Sequence, residues 1–306
     1  MRVHSGKHLG RAAAGVISTA IFVWPALGAA IAAPVPDFSG QWGRNVFNFE
    51  ALPAGPHPVT NLRRVGEDAG RPIVIGDPVP LVGDYTNAIL KPEAAAVVKQ
   101  KGDFSAAGHD FPDPSNQCAL YSPPYLFTIQ LGMQMLQAKD QIVILYTQDN
   151  QVRRVHLNER HPAKLTPSAT GHSVGHYEGD TLVVDTVGIK LEPFTMVDRF
   201  GTPQSEAMHV VERYRLIDAA QAREAQERQE KTNGGFTGSP YDTGYGKGLQ
   251  VQVTVEDPKV FTTPWSANVT YRHVVRPWQE SVCAENNTDV LHQGFEHVPT
   301  ADKPDF

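Results

Sequence analysis

The feature that most constrains the fold is a series of short segments, rich in β-branched and aromatic residues, between residues 127 and 275. Polar turns such as Ala138-Lys139-Asp140 separate the segments, which is typical of successive strands in an antiparallel sheet. In the segment 248–256 valines alternate with polar residues, so one face of that strand is dry and the other is wet. The predicted strands are 127–131, 133–138, 142–147, 152–157, 207–216, 248–256 and 267–275, with a hairpin at 171–189.

These strands predict a mostly β fold, an antiparallel barrel-like or strongly curved sheet, which two short helical insertions interrupt. The first insertion, at 92–101, has Pro92 in its first turn and Gly102 after its end. The second begins after Asp218, which can form a capping box with Gln221, and extends to about residue 231. The Gly-x-Trp triplet that ends at Trp42 is weakly similar to the first strand of lipocalin-type barrels, although a Trp that closes one end of a sheet is the simpler interpretation.

The first 32 residues have the organisation of a secretory signal peptide. Arg2, Lys7 and Arg11 give a basic start, the stretch 12–32 is apolar and small, and it ends in an Ala-x-Ala cleavage site. An N-terminal anchor helix is the alternative, and no later stretch is long and apolar enough to cross a bilayer. We therefore expect a single β-rich domain at 33–306, which is exported to the periplasm or secreted from a bacterial cell.

The mature chain has two cysteines, Cys118 and Cys283, which lie 165 residues apart. In an oxidising compartment such a pair usually forms a disulfide, and we predict one here. A reactive or metal-binding thiol is the alternative. The formal net charge of −6 and the lack of a basic stripe argue against a nucleic-acid partner. A small, partly apolar molecule is the expected ligand, and the oligomeric state is left open, with a homo-oligomer as one option.

The hairpin at 171–189 concentrates acid–base chemistry, because it contains two histidines, a serine and three acidic side chains. Asp185 stands between valines in mid-strand, where a carboxylate is either a buried structural group or a working one. We expect a three-residue loop at 178–180, which sets Ser173 opposite Asp185 and places His172 on the other face. A two-residue loop would shift this pairing by one residue and exchange the faces.

Glu212 is the one charged residue in the otherwise apolar row of the strand 207–216. A buried glutamate has a raised pKa and suits general acid or base catalysis near neutral pH. A buried ion pair with Arg153 or Arg272 is the alternative interpretation. The candidate catalytic residues are Glu212, Asp185, His172, His209 and Ser173, and the candidate substrate-binding residues are Tyr177, Arg153, Tyr214, Tyr241, Tyr245, Tyr271 and His273.

Tyr241 and Tyr245 belong to a Gly-rich segment at 233–248, which follows the second helix. Long segments without regular structure are uncommon in compact domains and are often functional. The helix and this segment, together 217–248, are therefore interpreted as a lid-like insertion whose aromatic residues close over a cavity. A plain surface loop is the alternative interpretation.

Residues 171–175 match the pattern G-x-S-x-G, in which Gly171 and Gly175 flank Ser173. A nucleophile elbow needs an apolar strand before the serine and a helix after it, whereas here a hairpin follows. A serine hydrolase is therefore a minor alternative.

Several histidines are candidate metal ligands, because imidazole nitrogens commonly bind zinc. His172 and His176 are four residues apart, which on a strand separates them by about 13 Å, too far to share one ion directly. We expect no metal and no other cofactor. Whether a metal is bound by His161, His172, His176 or His209 is left open.

The C-terminal half carries a set of short motifs. They are VGHYEGDTLVVDTVGI, GTP, HVVERYRL, VEDP (its first residue is Val255), FTTPW, CAENN and PTADKPDF, at 174–189, 201–203, 209–216, 255–258, 261–265, 283–287 and 299–306. The set resembles an uncharacterised family of exported bacterial proteins. The resemblance implies export and assigns no activity. Members of that family often have an Asp-Gly-Arg-x-His-Pro turn before the hairpin, and this chain has a turn one residue shorter that contains His161.

The leading hypothesis is an exported, cofactor-independent enzyme of lyase, isomerase or hydratase type that acts on a small, partly apolar molecule. Glu212 or Asp185 would move a proton, and His172 or His209 would assist. The alternative is a non-catalytic barrel that binds a hydrophobic ligand as a carrier or sensor. A purely structural envelope protein is a third hypothesis.

Overall fold

The structure is a computed structural model that describes residues 1–2, 35–62, 80–129, 132–233, 246–275, 277–278 and 281–283. Nearly all of the predicted signal peptide lies outside these residues, and so does most of the predicted lid, including Tyr241 and Tyr245. Within the described ranges no helix is long and apolar enough to cross a membrane.

Ten strands and three helices lie in the described part of the chain. The strands are β1 (Gly40–Gly43), β2 (Glu50–Ala51), β3 (Gly132–Gln137), β4 (Gln141–Tyr146), β5 (Val152–Leu157), β6 (His172–Glu178), β7 (Thr181–Val187), β8 (His209–Ile217), β9 (Gly248–Glu256) and β10 (Trp265–Val274). The helices are α1 (Pro92–Ala106), the single turn α2 (Leu126–Ile129) and α3 (Ala219–Asn233).

The strands close into a barrel because β1 pairs with both β3 and β10. Nine strands form the ring, in the order β1-β3-β4-β5-β6-β7-β8-β9-β10, and β2 pairs with β10 next to β1. Closure removes the free sheet edges that would otherwise invite pairing with other chains. The prediction of a mostly β, barrel-like fold with short helical insertions is confirmed.

One pair of neighbouring strands in the barrel is parallel, and we call it the parallel joint. This pairing corrects the predicted antiparallel meander. β5 and β6 run in the same direction, with Val155 beside Ser173 and Leu157 beside Gly175. Parallel neighbours cannot be joined by a tight turn, and the chain uses residues 158–171 to return to the start of β6. This connection carries His161 across the outer face of the barrel, where its ring contacts His172.

Alternate residues of the strands fill the barrel interior. On β9, Leu249 and the three valines that follow it at every second position are fully buried, as the alternation predicted. Such burial stabilises the fold by about 25 cal/mol per Å² of apolar surface. Trp42 on β1 belongs to the same core and donates its indole N–H to the carbonyl of Phe38 at 2.9 Å, which agrees with a structural role for this tryptophan.

Two local predictions have opposite outcomes. The predicted capping box at the start of α3 is confirmed, since the amide of Gln221 donates to Asp218 Oδ1 at 2.9 Å and the amide of Asp218 donates to Gln221 Oε1 at 3.2 Å. The strand predicted at 127–131 is wrong. Residues 127–129 belong to α2, in which the amide of Thr128 donates to the carbonyl of Tyr125 at 2.8 Å. A short apolar run does not distinguish a strand from a buried helical turn.

The predicted disulfide is confirmed, because Cys118 and Cys283 are bonded to each other. The link spans 165 residues, and so long a loop restricts the unfolded chain strongly. It ties the segment 281–283 to the loop before α2. The amide of Cys283 also donates to Asp149 Oδ1 at 2.7 Å, so the attachment includes a polar contact to the turn after β4.

Gly175 allows β5 and β6 to approach each other. A Cβ atom at this position would lie 2.8 Å from Val155 Cγ1 and 3.3 Å from Leu157 Cδ2. We expect Gly175→Ala to lower the free energy of unfolding by about 1–3 kcal/mol through overpacking, as measured by urea denaturation. His176→Ala, at an exposed position of the same strand, is the control and should have a smaller effect. Equal losses would contradict tight packing at the parallel joint.

Candidate functional site

The hairpin of β6 and β7 has a two-residue loop, Gly179-Asp180, because Glu178 pairs directly with Thr181. The predicted three-residue loop is therefore wrong. Gly179 has φ +61°, the left-handed conformation that a two-residue turn requires and that glycine adopts without strain. The register places Ser173 opposite Thr186 rather than opposite Asp185. Ser173 consequently faces the barrel interior, and Asp185 faces outward.

The inner face of the sheet holds a buried ion pair between Arg153 on β5 and Glu212 on β8. The guanidinium donates to both carboxylate oxygens, at 2.9 and 2.7 Å, and both side chains are at most 1% exposed. Arg153 also donates to Ser173 Oγ at 3.1 Å and to Thr186 Oγ1 at 2.7 Å. Tyr214 donates its hydroxyl to Glu212 at 2.6 Å. Glu212 thus forms the ion pair that was the alternative to a catalytic role.

Electrostatics explain why the guanidinium of Arg153 stays charged. Burial disfavours the charged form of Arg153, but Glu212 more than offsets burial, so the pKa of the guanidinium is raised. Burial and the adjacent Glu212 carboxylate also raise the pKa of Tyr214, which keeps its proton available for the hydrogen bond. The hydroxyl of Ser173 is engaged with Arg153 and Thr186. In the described residues no histidine contacts this hydroxyl, so the arrangement that a serine hydrolase needs is not formed.

Other predicted substrate-binding residues also lie on the inner face of the barrel. Tyr271 is fully buried, and the guanidinium of Arg44 lies 5.7 Å from its ring centre. His273 packs edge-on against Trp42 at 5.5 Å between ring centres. Tyr177 accepts a hydrogen bond from the side chain of Gln137 at 3.0 Å. None of these contacts involves His172, Asp185 or His209.

The outer face brings three of the predicted catalytic residues together. His172 and His161 join through their Nδ1 atoms at 2.9 Å, and His161 Nε2 lies 3.0 Å from Asp185 Oδ1. The second oxygen of Asp185 lies 3.1 Å from His209 Nε2. We call this chain of His172, His161, Asp185 and His209 the histidine relay. At its far end, His209 Nδ1 lies 3.8 Å from a carboxylate oxygen of Glu256.

Proton placement in the histidine relay follows from its contacts. A carboxylate only accepts hydrogen bonds, so His161 donates its Nε2 proton to Asp185. In the neutral ring, His161 Nδ1 then accepts a hydrogen bond from the Nδ1–H of His172. This leaves the Nε2 lone pair of His172 free. No group in the described part of the chain is hydrogen-bonded to that atom, so it can act as a base toward a bound molecule.

The contacts within the histidine relay change the pKa values of its members in different directions. A hydrogen bond from His209 and a weaker influence from His161 lower the pKa of Asp185, so this carboxylate stays ionised. The same carboxylate raises the pKa of His209. Partial burial and the adjacent rings of His161 and His156 lower the pKa of His172, so its imidazole is neutral near pH 7. The ring of His156 stacks on that of His172 with 5.3 Å between centres.

A cleft with a volume of about 340 Å³ opens beside His172, and we call it the β5–β6 cleft. Gly171 forms part of its wall with φ +69°, and a Cβ atom there would lie 2.8 Å from the carbonyl oxygen of Val187, so glycine is required. The lining residues are Val152, Arg154, His156, Thr170, Gly171, His172 and Ser173.

The remaining predicted residues lie apart from this cleft. His176 is exposed and pairs with Glu178 at 3.1 Å. Glu212 and Asp185 lie on opposite faces of the sheet, so they do not share a site. Sequence reasoning missed the linking role of His161, and it missed Arg154 and His156 as cleft residues. The alternation along β5 indicated that Val152, Arg154 and His156 point outward. It did not indicate that they lie beside His172, because the parallel pairing of β5 with β6 was not predicted.

Metal ligation and similarity to known proteins add no further assignment. Over the ranges that the structure covers, no group of three or more His, Cys, Asp or Glu side chains is arranged to hold a metal ion. Comparisons of the chain with protein-family models, with curated proteins and with solved structures each found no match. The geometry of the histidine relay and the β5–β6 cleft therefore carries the functional argument.

The buried ion pair should be essential for stability. Glu212→Gln leaves the Arg153 charge buried without its partner, and we expect the free energy of unfolding to fall by about 3–5 kcal/mol. Urea denaturation followed by circular dichroism measures this loss. Glu178→Gln is the matched control, because its ion pair with Arg213 is exposed, and it should change stability little. A Glu212→Gln protein as stable as the control would contradict the role of the pair.

The contacts of Asp185 should give stability a defined pH dependence. The lowered pKa of Asp185 means that its contribution is lost as pH falls through that value, and the raised pKa of His209 means that its contribution is lost as pH rises through that value. The melting-temperature difference between wild type and Asp185→Asn should therefore be largest between the ordinary pKa values, 3.8 for Asp and 6.5 for His. Asp180→Asn, on the hairpin turn, should show no such maximum. A pH-independent difference for Asp185→Asn would contradict this coupling.

Proposed function

We propose that this protein is an exported acid/base enzyme in which His172 Nε2 is the general base. The observation that carries the proposal is the hydrogen-bonded chain from Asp185 through His161 to His172, which ends at the β5–β6 cleft. Export is supported by the disulfide between Cys118 and Cys283, because such bonds persist in oxidising compartments. The expected reactions are of lyase, isomerase or hydratase type, since they consist of proton transfers and need no cofactor.

The proposed step begins with a molecule bound in the cleft that has a C–H group next to a carbonyl. His172 Nε2 takes the proton, and the electron pair of the C–H bond stays on the substrate as an enolate. In an isomerase, the protonated His172 returns the proton to a different carbon. In a lyase, the enolate expels a group from the neighbouring carbon, and His172 gives the proton to that group. Hydration is the reverse of the second route.

The other members of the histidine relay act on His172 rather than on the substrate. His161 orients the His172 ring and, through its own contact with Asp185, stabilises the positive charge that forms on His172. The lowered pKa of His172 keeps its ring unprotonated near neutral pH, so the base is available. His161 and Asp185 are therefore positioning residues, and His172 is the catalytic residue.

A carrier or sensor function is the second candidate, and one observation favours it. The hydroxyls of Tyr146 and Tyr271 are buried and make no hydrogen bond of ordinary length among the described residues, although Arg153 and Arg44, respectively, lie near them. Buried polar groups are normally paired, so a polar ligand or an ordered water would satisfy them. Native mass spectrometry separates the candidates, because a carrier retains an unchanged small molecule in its barrel.

Proton abstraction can be tested without knowing the natural substrate. The purified protein in D₂O is mixed with a panel of small ketones and oxo acids, and loss of the α-proton signal is followed by NMR. We expect wild type to accelerate exchange for a subset of the panel, and His172→Gln to reduce that rate by about 10²–10⁴-fold. His176→Gln, on the same strand but outside the cleft, is the control and should match wild type.

Two results of this exchange experiment would contradict the proposal. Full activity in His172→Gln would remove His172 from the mechanism. A wild-type protein that accelerates exchange of no panel compound would argue against proton abstraction from carbon. Circular dichroism of each variant shows whether the fold is intact.

A further inference from the structure

Arg154 is a cation at the edge of the proposed active site. It is exposed and lines the β5–β6 cleft. Its guanidinium forms no hydrogen bond or ion pair with any part of the chain that the structure describes. Another cleft residue, His156, lies 4.0 Å from a carboxylate oxygen of Glu159. A free guanidinium in a cleft is suited to a bidentate contact with a carboxylate or another planar anion.

The parallel joint places Arg154 beside His172. Val155 pairs with Ser173, so the preceding residues, Arg154 and His172, are neighbours on the outer face. Neighbouring strands lie about 4.8 Å apart, which is within the reach of an arginine side chain. Arg154 and His172 also line the same cleft, so an anion held by Arg154 would share that cleft with the His172 ring. If β5 and β6 were antiparallel with Val155 still opposite Ser173, Arg154 would lie opposite Val174 instead of His172.

The other residues that line the cleft indicate which ligand the cleft would accept. Val152 is 45% exposed and lies two residues before Arg154, so both point outward from β5. Thr170 and Gly171 also line the cleft. The cleft thus combines a cation with an exposed apolar side chain and small residues. This combination fits a small organic acid with an apolar part.

We infer that Arg154 binds the carboxylate of a small oxo acid and presents the proton next to its oxo group to His172. This inference rests on the proposed function and names its substrate class. The oxo group is required because a neutral imidazole is too weak a base to remove a proton that only a carboxylate acidifies. Arg154 remains protonated throughout, because a guanidinium is not deprotonated in proteins, and it neutralises the charge of the bound acid.

Binding can be measured with benzoate, which has a carboxylate and an apolar ring but cannot react. The imidazole signals of His172 are followed by NMR as benzoate is added to the full chain. We expect saturable binding in the millimolar range and an increase in the pKa of His172, because the bound anion favours the imidazolium. Benzamide, which is similar in shape and neutral, should bind at least about tenfold more weakly.

Substitutions identify the cation responsible. Arg154→Gln should weaken benzoate binding by about tenfold or more, and Arg154→Lys should lose less because it keeps the charge. Arg213→Gln is the matched control, since Arg213 points outward from β8 but pairs with Glu178 outside the cleft. Binding equal to wild type in Arg154→Gln, equal affinity for benzamide, or no binding of benzoate to wild type would each overturn the inference.

The outcomes for binding and for catalysis are separable, because benzoate binding needs no turnover. If exchange depends on His172 while Arg154→Gln binds benzoate normally, the carboxylate site is wrong and the proposed function stands. If Arg154→Gln loses benzoate and wild type exchanges no panel compound, the anion site stands and the proposed function is wrong.

Discussion

The ion pair between Arg153 and Glu212 is the interaction on which the rest of the structure depends. A charge in a barrel interior is costly unless its partner and its remaining hydrogen bonds are supplied. Here Arg153 on β5 reaches Ser173 on β6, Thr186 on β7 and Glu212 on β8. One guanidinium thus connects four consecutive strands across the single parallel joint. Because side chains alternate along strands, the inner contacts of β5 and β6 also determine which outer residues become neighbours.

The two faces of this sheet have different chemical characters. On the inner face the charges of Arg153 and Glu212 satisfy each other, so neither is left over for a substrate. On the outer face, one ring nitrogen of His172 and the guanidinium of Arg154 have no partner among the residues that the structure describes. Many barrels bind ligands in their interior, whereas the acid/base proposal for this chain uses the outside of the wall. The interior supplies rigidity, and the connection between β5 and β6 supplies His161.

Much of the fold could be predicted from local patterns, and the limits of that prediction are physical. The alternation of valines located β9 with its observed ends, and Asp218 located the start of α3. The hairpin loop was wrong by one residue, and a shift of one residue reverses every side chain of a strand. The parallel joint is a non-local pairing that no local pattern encodes. The role of His161 depends on that joint, so it could not be found from the sequence.

The position of His161 has a consequence for how this protein can diversify. His161 lies on the connection at 158–171 and not on a strand, so its contacts with His172 and Asp185 lie outside the hydrogen-bond ladder of the barrel. Loops tolerate insertion and exchange better than the strands that they join. Replacement of this connection alone would therefore change the surroundings of His172 while the strand pairing of the barrel is retained.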